Sequence, residues 1–190
     1  MEKHDSLWIT APYYLIIDLE ATCSDNGPVP RQEMEIIEIG AVLLDSRTFN
    51  EAAEFQTFVK PVRHPRLTSF CTALTSIRQD QVEEAPGFVE ALAALEAWRA
   101  PYGDSLFCSW GFYDRGQFEQ DCEYHQVAYP FGDEHLNLKE AFSEMTNQKR
   151  RFGIGGALRN LGLYFEGTPH RGIDDVRNIV RIIRQVCQGG

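Results

Sequence analysis

Two carboxylates separated by one residue are the first groups in this chain whose types and spacing suit chemistry. Asp18 and Glu20 follow the apolar run Tyr14–Ile17, whose aromatic and β-branched side chains are typical of a buried strand. Because side chains along a strand alternate between its two faces, residues two apart point the same way. Two acids held this close repel each other, and a bound divalent cation relieves the repulsion. The pair fits either a metal-binding strand edge or an acidic turn with both acids solvated.

Two later segments place further acids near the start of predicted helices. Asp114 lies in the first turn of the helix predicted for Gly111–Tyr124. Asp175 lies in the first turns of the helix predicted for 172–186, five residues after His170 on the preceding turn. An acid at a helix N-terminus interacts favourably with the helix dipole. This structural reason is sufficient for each segment taken alone.

The hydrophobic pattern predicts an α/β domain with a mixed sheet. Three apolar runs with short links predict an antiparallel meander of strands over Tyr14–Ile17, Glu35–Leu44 and Glu51–Val59. Two short strands are predicted later, over Ser105–Cys108 and His135–Leu138, and alternate with helices. Helices are predicted over Ser69–Ala73, Ile77–Gln81, the stretch from Pro86 to Trp98, Gly111–Tyr124, the stretch ending at Met145, Ile154–Leu161 and 172–186.

Length and charge restrict the class of protein. At 190 residues and 43% hydrophobic content, the chain predicts a lead-in over 1–12 and a single domain over 13–187. The net charge of −10 argues against a protein that coats nucleic acid over a broad surface. The charge is segregated, with a net +5 over residues 149–190 and −15 over residues 1–148. A polyanion is therefore expected to meet the C-terminal portion or a cation held by the acids, unless the charges are simply solvated.

Several other classes of site and location are not indicated. The longest apolar runs are too short to span a bilayer, and the first residues lack the features of a signal peptide. The five cysteines are odd in number and form no C-x-x-C pair, so neither a disulfide framework nor a zinc site is predicted. A cytoplasmic location with no membrane contact is expected.

Taken together and in order, the candidate residues resemble the active-site set of a known superfamily. Asp18, Glu20, Asp114, His170 and Asp175 match the DEDDh branch of the DnaQ-like 3′→5′ exonucleases, which have a ribonuclease-H-like fold. The similarity extends to the enhanced-RNAi and histone-mRNA 3′-exonuclease group. It is carried by the segments DLEATC (Asp18–Cys23), EIIEIGAV (Glu35–Val42), LTSIRQDQV (Leu74–Val82), LNLKEAF (Leu136–Phe142) and HRGIDDVRN (His170–Asn178).

The resemblance implies a fold, a cofactor and a reaction. The fold is a ribonuclease-H-like mixed sheet of five strands flanked by helices. Two Mg²⁺ or Mn²⁺ ions would be held by the acids of the set, with Asp18 between them; the metal ligands are Asp18, Glu20, Asp114 and Asp175. The catalytic residues are Glu20 and His170, with the histidine as general base. The reaction is 3′→5′ hydrolysis of single-stranded RNA to nucleoside 5′-monophosphates, and Asp174 is interpreted as a solvated helix-start acid.

The resemblance also implies contacts to the substrate. The terminal nucleotide would be bound by Glu20, Ala21, Thr22, Trp110, Arg115 and His170. Trp110 could stack on a base or simply pack in the core. Four cations could contact phosphates or be ordinary surface charges: Lys149, Arg150, Arg151 and Arg171. No separate nucleic-acid-binding domain is expected in this chain, which favours short single-stranded 3′ ends as the substrate.

Two alternatives to an exoribonuclease stay open at this point. The same motifs fit a DNA 3′ exonuclease, because none of them recognises a 2′-hydroxyl. The chain also fits a non-catalytic regulatory module on a nuclease fold, acting through protein contacts. An intact catalytic set argues against the second alternative.

Overall fold

Strand β1 (Tyr13–Ala21) lies at the centre of a five-stranded sheet in the computed structural model, which describes residues 11–188. The strand order is β3-β2-β1-β4-β5. The other strands are β2 (Ile36–Asp45), β3 (Glu51–Phe58), β4 (Ser105–Ser109) and β5 (His135–Asn137). The first three strands pair antiparallel, whereas β4 runs parallel to both β1 and β5. The predicted meander and mixed sheet are confirmed.

Seven helices are present in the described part of the chain, together with two short 3₁₀ turns. The helices are α1 (Ser69–Thr75), α2 (Gln79–Glu83), α3 (Phe88–Arg99), α4 (Tyr113–His125), α5 (Leu138–Met145), α6 (Ile154–Asn160) and α7 (Gly172–Gln188). Each matches a predicted helix, although α3 begins at Phe88 rather than near Pro86. Between residues 11 and 188, no helix is long and apolar enough to cross a membrane. The predicted lead-in over 1–12 lies outside the described residues except for its last two.

Side chains alternate along β1 and divide the core into two layers. Tyr14 and Ile16 pack in one buried cluster with α5, α6 and α7. Leu15 and Ile17 pack in a second cluster with α3 and α4. Asp18 and Glu20 continue the even-numbered series, so the period of two directs both acids toward the α7 side of the sheet.

Strand β1 extends past the apolar run Tyr14–Ile17 and carries both acids near its end, as the alternation of strand side chains predicts. It pairs with β2 as far as Ala21, opposite Ile36. Its other neighbour, β4, pairs with it only as far as Ile16, opposite Cys108. The last residues of β1 therefore have a strand partner on one side only. This open side is where the start of α4 approaches.

Two glycines allow α7 to begin directly against the sheet. A Cβ atom on Gly40 of β2 would lie 2.2 Å from the carbonyl carbon of Gly172 and 2.3 Å from the amide nitrogen of Ile173. A Cβ atom on Gly172 would lie 2.8 Å from the carbonyl oxygen of Asp18. Neither position has room for a larger side chain, because the nearest atoms are backbone. The contact brings the first turn of α7 beside Asp18.

The variant Gly40→Ala tests this contact. The added methyl group has no flexible neighbour to displace, so we expect a loss of roughly 1–3 kcal/mol in the free energy of unfolding, measured by urea denaturation. Gly116→Ala in α4 is the matched control, since a Cβ atom there meets nothing within 4 Å. The control should be stabilised by about 0.4–1 kcal/mol. Equal stability of the Gly40→Ala variant and the unmodified protein would contradict the account.

Candidate active site

Three elements bring the four predicted metal ligands to one cleft. Asp18 and Glu20 come from β1, Asp114 from the first turn of α4 and Asp175 from the first turn of α7. Carboxylate oxygens of Asp18, Glu20 and Asp175 all lie within 4.8 Å of one another. Asp114 lines the same cleft. A donor set made only of carboxylate oxygens suits a hard cation such as Mg²⁺ or Mn²⁺.

Asp114 is held in place by the open side of β1. Its Oδ1 accepts a hydrogen bond of 3.0 Å from the backbone N–H of Leu19, which no strand satisfies on that side. The Ser109 hydroxyl at the end of β4 donates to the carbonyl of Gly111 at 3.0 Å and contacts Nε2 of His135 at 2.9 Å. Because β4 pairs with β1 only as far as Ile16, the N–H of Leu19 has no strand partner on that side. This explains why an acid from α4 reaches the last residues of β1.

The turn before α7 is fixed by two adjacent acids with different tasks. Asp175 Oδ2 accepts from the N–H of Arg171 at 3.1 Å, while the carboxylate lines the cleft. Asp174 points the other way. It accepts from the N–H of Thr168 at 2.9 Å and from Arg177 at 3.0 Å. The interpretation of Asp174 as a solvated acid misses this role, since its carboxylate holds the turn together.

His170 lies in this turn with its backbone in the left-handed region, at φ 61°. This conformation costs a non-glycine residue of order 1–3 kcal/mol and persists only where the surroundings enforce it. Here the bonds to Asp174 and Asp175 on either side enforce it. The side chain is exposed and lines the cleft that holds the four carboxylates.

Glu38 is a positioning residue that the sequence analysis missed. It lies opposite Glu20 in the β1–β2 pairing and is fully buried. Its carboxylate accepts from Arg171 Nε at 2.9 Å, from Arg171 Nη2 at 3.1 Å and from the N–H of Gly172 at 3.2 Å. It therefore ties the start of α7 to β2. The available signal was an acid in the middle of an otherwise apolar strand, where an unpaired charge is costly.

The four acids at the centre resist ionising together. Burial is the largest cause in each case and raises the pKa of Glu20 to about 9, of Asp175 to about 7 and of Asp114 to about 6. Burial raises the pKa of Asp18 as well, and the neighbouring Asp114, Asp175 and Glu20 raise it further. The hydrogen bond from the backbone N–H of Leu19 opposes the rise in the pKa of Asp114. A divalent cation supplies the positive charge that this arrangement lacks.

The structure brings most of the predicted nucleotide-binding residues to the cleft, whose volume is about 560 Å³, but not all of them. Glu20, Ala21, Trp110 and His170 line it. Thr22 and Arg115 do not, and their side chains have other partners.

The Thr22 hydroxyl accepts from the N–H of Glu35 at 2.9 Å, which closes the end of the β1–β2 pair. Arg115 pairs with Glu119 at 2.8 Å and donates to the carbonyl of Asp133 at 3.1 Å. Both side chains are therefore used within the fold.

Trp110 uses its indole N–H within the fold as well. It donates to the carbonyl of Phe152 at 2.9 Å, and the ring packs against Phe142. Only 9% of the residue is exposed. Of the two roles considered for Trp110, the structure supports core packing.

Two of the four cations predicted to contact phosphates form ion pairs with acids of the chain. Arg171 is held by Glu38, and Arg151 pairs with Glu140 at 2.7 Å. Arg150 has no acidic partner in the described part of the chain and lies over the ring of Phe152. Acidic partners thus offset five of the eight cations of residues 149–190.

The raised pKa values predict how metal and pH act on stability. A carboxyl whose pKa is higher in the folded than in the unfolded state destabilises the protein when it ionises. The metal-free protein should therefore lose stability as the pH rises from about 4, the pKa of an unfolded carboxyl, through the raised pKa values of Asp114, Asp175 and Glu20, which are about 6, 7 and 9. Bound Mg²⁺ or Mn²⁺ should restore it by mass action. We expect the metal-induced rise in melting temperature, measured by scanning fluorimetry, to be larger at pH 8 than at pH 6.

The variant Asp18→Asn removes one of the four charges. It should be at least as stable as the unmodified protein without metal at pH 8, and it should lose most of the metal-induced rise. A rise that is the same at both pH values, or the same in Asp18→Asn, would contradict an assembled metal site.

Comparison with known proteins agrees with this geometry. The family model for the RNase_T exonuclease domain matches residues 15–183. ERI1 exoribonuclease 3 of Homo sapiens is 34% identical over 188 residues, which cover 94% of this chain and 54% of that protein. 3′-5′ exoribonuclease 1 of Homo sapiens is 34% identical over 187 residues, which cover 94% of this chain and 53% of that protein. The chain spans about half the length of these curated relatives.

Solved structures show the same fold. The nuclease domain of 3′hExo, a DEDDh family member bound to rAMP, superposes with a TM-score of 0.88 at 32% identity, covering 94% of this chain and 93% of that one. A 3′-exonuclease described in 3′-end-specific recognition of the histone mRNA stem-loop superposes with a TM-score of 0.87 at 30% identity, covering 94% and 64%. The predicted ribonuclease-H-like exonuclease fold is confirmed. This chain belongs to the RNase_T exonuclease family.

Proposed function

We propose that this chain is a 3′→5′ exonuclease that hydrolyses single-stranded RNA from its 3′ end and releases nucleoside 5′-monophosphates. The observation that carries the proposal is the meeting of four carboxylates and His170 in one cleft, although they come from three separate elements. The relatives named as exoribonucleases, and the related nuclease domain bound to rAMP, support RNA as the substrate.

The family implies dependence on a divalent metal, and the residues present fit one. All the donors are carboxylates, and their pKa values are raised first by burial and further by neighbouring carboxylates. We propose that Asp18, Glu20, Asp114 and Asp175 would hold two Mg²⁺ or Mn²⁺ ions. Ions in such a site polarise the phosphate and stabilise both the attacking and the leaving oxygen of an in-line displacement.

The residues of the chain itself then have distinct tasks. His170 takes the proton from the attacking water, a task suited to an imidazole at neutral pH. The water oxygen bonds to phosphorus, and the bond to the 3′ oxygen of the preceding nucleotide breaks. Glu20 and Ala21, which line the cleft, would seat the terminal nucleotide, and Trp110 also lines the cleft. Direct contacts from Thr22 and Arg115 stay predictions from the family resemblance.

A DNA 3′ exonuclease is the second candidate, because nothing in the four-carboxylate set distinguishes the two sugars. The names of the relatives favour RNA. A purely regulatory module fits less well, since all five residues of the set are present and meet in the cleft. The cytoplasmic location expected from the sequence stays a prediction.

The proposal predicts a ladder of products from a 5′-labelled single-stranded RNA with Mg²⁺ or Mn²⁺. His170→Ala should slow hydrolysis by about 10²- to 10⁴-fold while leaving the folded protein intact, because it removes only the proton acceptor. Asp18→Asn should abolish activity. Gel electrophoresis of time points measures both effects.

Matched substrates complete the test. Circular RNA of the same sequence should remain intact, since it has no 3′ end, and single-stranded DNA should be hydrolysed more slowly than RNA. Cleavage of the circle would sink the exonuclease proposal. A faster rate on DNA would reverse the choice between the two candidates.

A further inference from the structure

The cleft continues into a second groove along the segment 150–160. Ile154, Gly155 and Arg159 of α6 line both spaces. The outer part of the groove is lined by Arg150, Arg151 and the glycines that precede α6 and begin it. A strand whose 3′ end lies among the four acids therefore has a continuous route onto this surface.

Among residues 11–188, Arg159 is the one arginine or lysine that lines the cleft, which the four acids also line. It is exposed, and no acid of residues 11–188 forms an ion pair with it. The other basic candidates nearby differ, since Arg171 and Arg151 are each paired with a glutamate. A polyanion that approaches four carboxylates needs a compensating cation, and Arg159 is placed to supply it.

Glycines form part of the lining of the groove. A Cβ atom on Gly153 would meet nothing within 4 Å, so the space above it is open. A Cβ atom on Gly155 would meet only Arg159, whose Nη1 would lie 3.6 Å away. The guanidinium thus lies beside Gly155, in a groove with a volume of about 510 Å³. A guanidinium binds phosphate oxygens through paired N–H groups.

We propose that this groove carries the substrate strand away from the cleft, and that Arg159 is a positioning residue that binds a phosphate on the 5′ side of the scissile bond. The ligand is the phosphodiester backbone of a single strand, and Arg150 is the next cation along the same path. The inference rests on the proposed function, since it assumes that a 3′ end occupies the cleft. It adds the direction in which the strand leaves.

The other side of the cleft offers a competing route and a matched control. Arg31 lies on the α4 side of the sheet, over the ring of Tyr113, which also lines the cleft. It donates to Gln117 at 2.6 Å and has no acidic partner in the described residues. A strand leaving on that side would depend on Arg31 instead of Arg159.

The test compares Arg159→Gln, Arg159→Lys and Arg31→Gln on unlabelled oligoribonucleotides of two to twelve nucleotides that carry a 5′-hydroxyl, with the products separated by chromatography. A dinucleotide has only the scissile phosphate, so Arg159→Gln should leave its hydrolysis unchanged. On the longer RNAs KM should rise about tenfold, the scale for one lost charge-assisted contact, with kcat unchanged. Arg159→Lys should restore most of the affinity, and Arg31→Gln should behave like the unmodified protein.

Binding of a fluorescein-labelled twelve-mer, followed by anisotropy across a salt series, gives a readout that does not need hydrolysis. Arg159→Gln should lower the slope of log K against log salt by about 0.7, the value for one phosphate on a single strand. If the unmodified protein hydrolyses no RNA, the proposed function fails, and the anisotropy still tests the groove. A defect of equal size on the dinucleotide, an unchanged salt slope, or the length-dependent defect appearing in Arg31→Gln would each overturn the proposal.

Discussion

The contact between Gly40 and Gly172 is the constraint on which the site depends. It lets the backbone at the start of α7 lie against β1 and β2 with no side chain between them. Glu38 fixes the same junction by accepting three hydrogen bonds from Arg171 and Gly172. Because Asp175 is only three residues into α7, this junction decides how far its carboxylate lies from Asp18 and Glu20. His170 is placed by the same junction.

The site places like charges together in a partly buried cleft, and the surrounding fold opposes the resulting repulsion. The acids would separate if the elements that carry them were free to move. They are held by a central strand, by a helix that begins against that strand and by the hydrogen bond from Leu19 to Asp114. His170 adds local strain to the same turn. These costs are consistent with a site that is completed by a cation and a substrate, since functional sites commonly store strain that the remaining structure offsets.

Local sequence patterns were sufficient to predict those parts of the site whose positions depend on neighbouring residues in the chain. The alternation of a strand places Asp18 and Glu20 on one face, and the helix-start positions of Asp114 and Asp175 follow from the boundaries of their helices. The roles of Glu38 and Gly40 could not be predicted in this way. Glu38 meets Arg171 across 133 residues of sequence, and the space around Gly40 depends on where α7 packs.

Two cations that the sequence suggests as phosphate contacts are instead paired with glutamates on other elements of the fold. Arg171 and Arg151 appear in the sequence as free cations, but each is paired with a glutamate on a different element. Arg159 was not singled out, because one arginine in a short amphipathic helix has no distinctive spacing. Its position becomes informative only in the folded chain, where it lines both the cleft and the neighbouring groove. The apolar run alone does not define the last residue of β1, because pairing with β2 continues past Asp18 and Glu20 as far as Ala21.

The central claim is that the junction of β1, β2 and α7 assembles four carboxylates into a site for two metal ions. A crystal structure of the protein with Mn²⁺ and a nucleoside 5′-monophosphate, with anomalous data collected at the manganese edge, tests it most directly. The account predicts two anomalous peaks bound by Asp18, Glu20, Asp114 and Asp175, with the phosphate beside them. Anomalous peaks only at other positions, or none at saturating Mn²⁺, would contradict it.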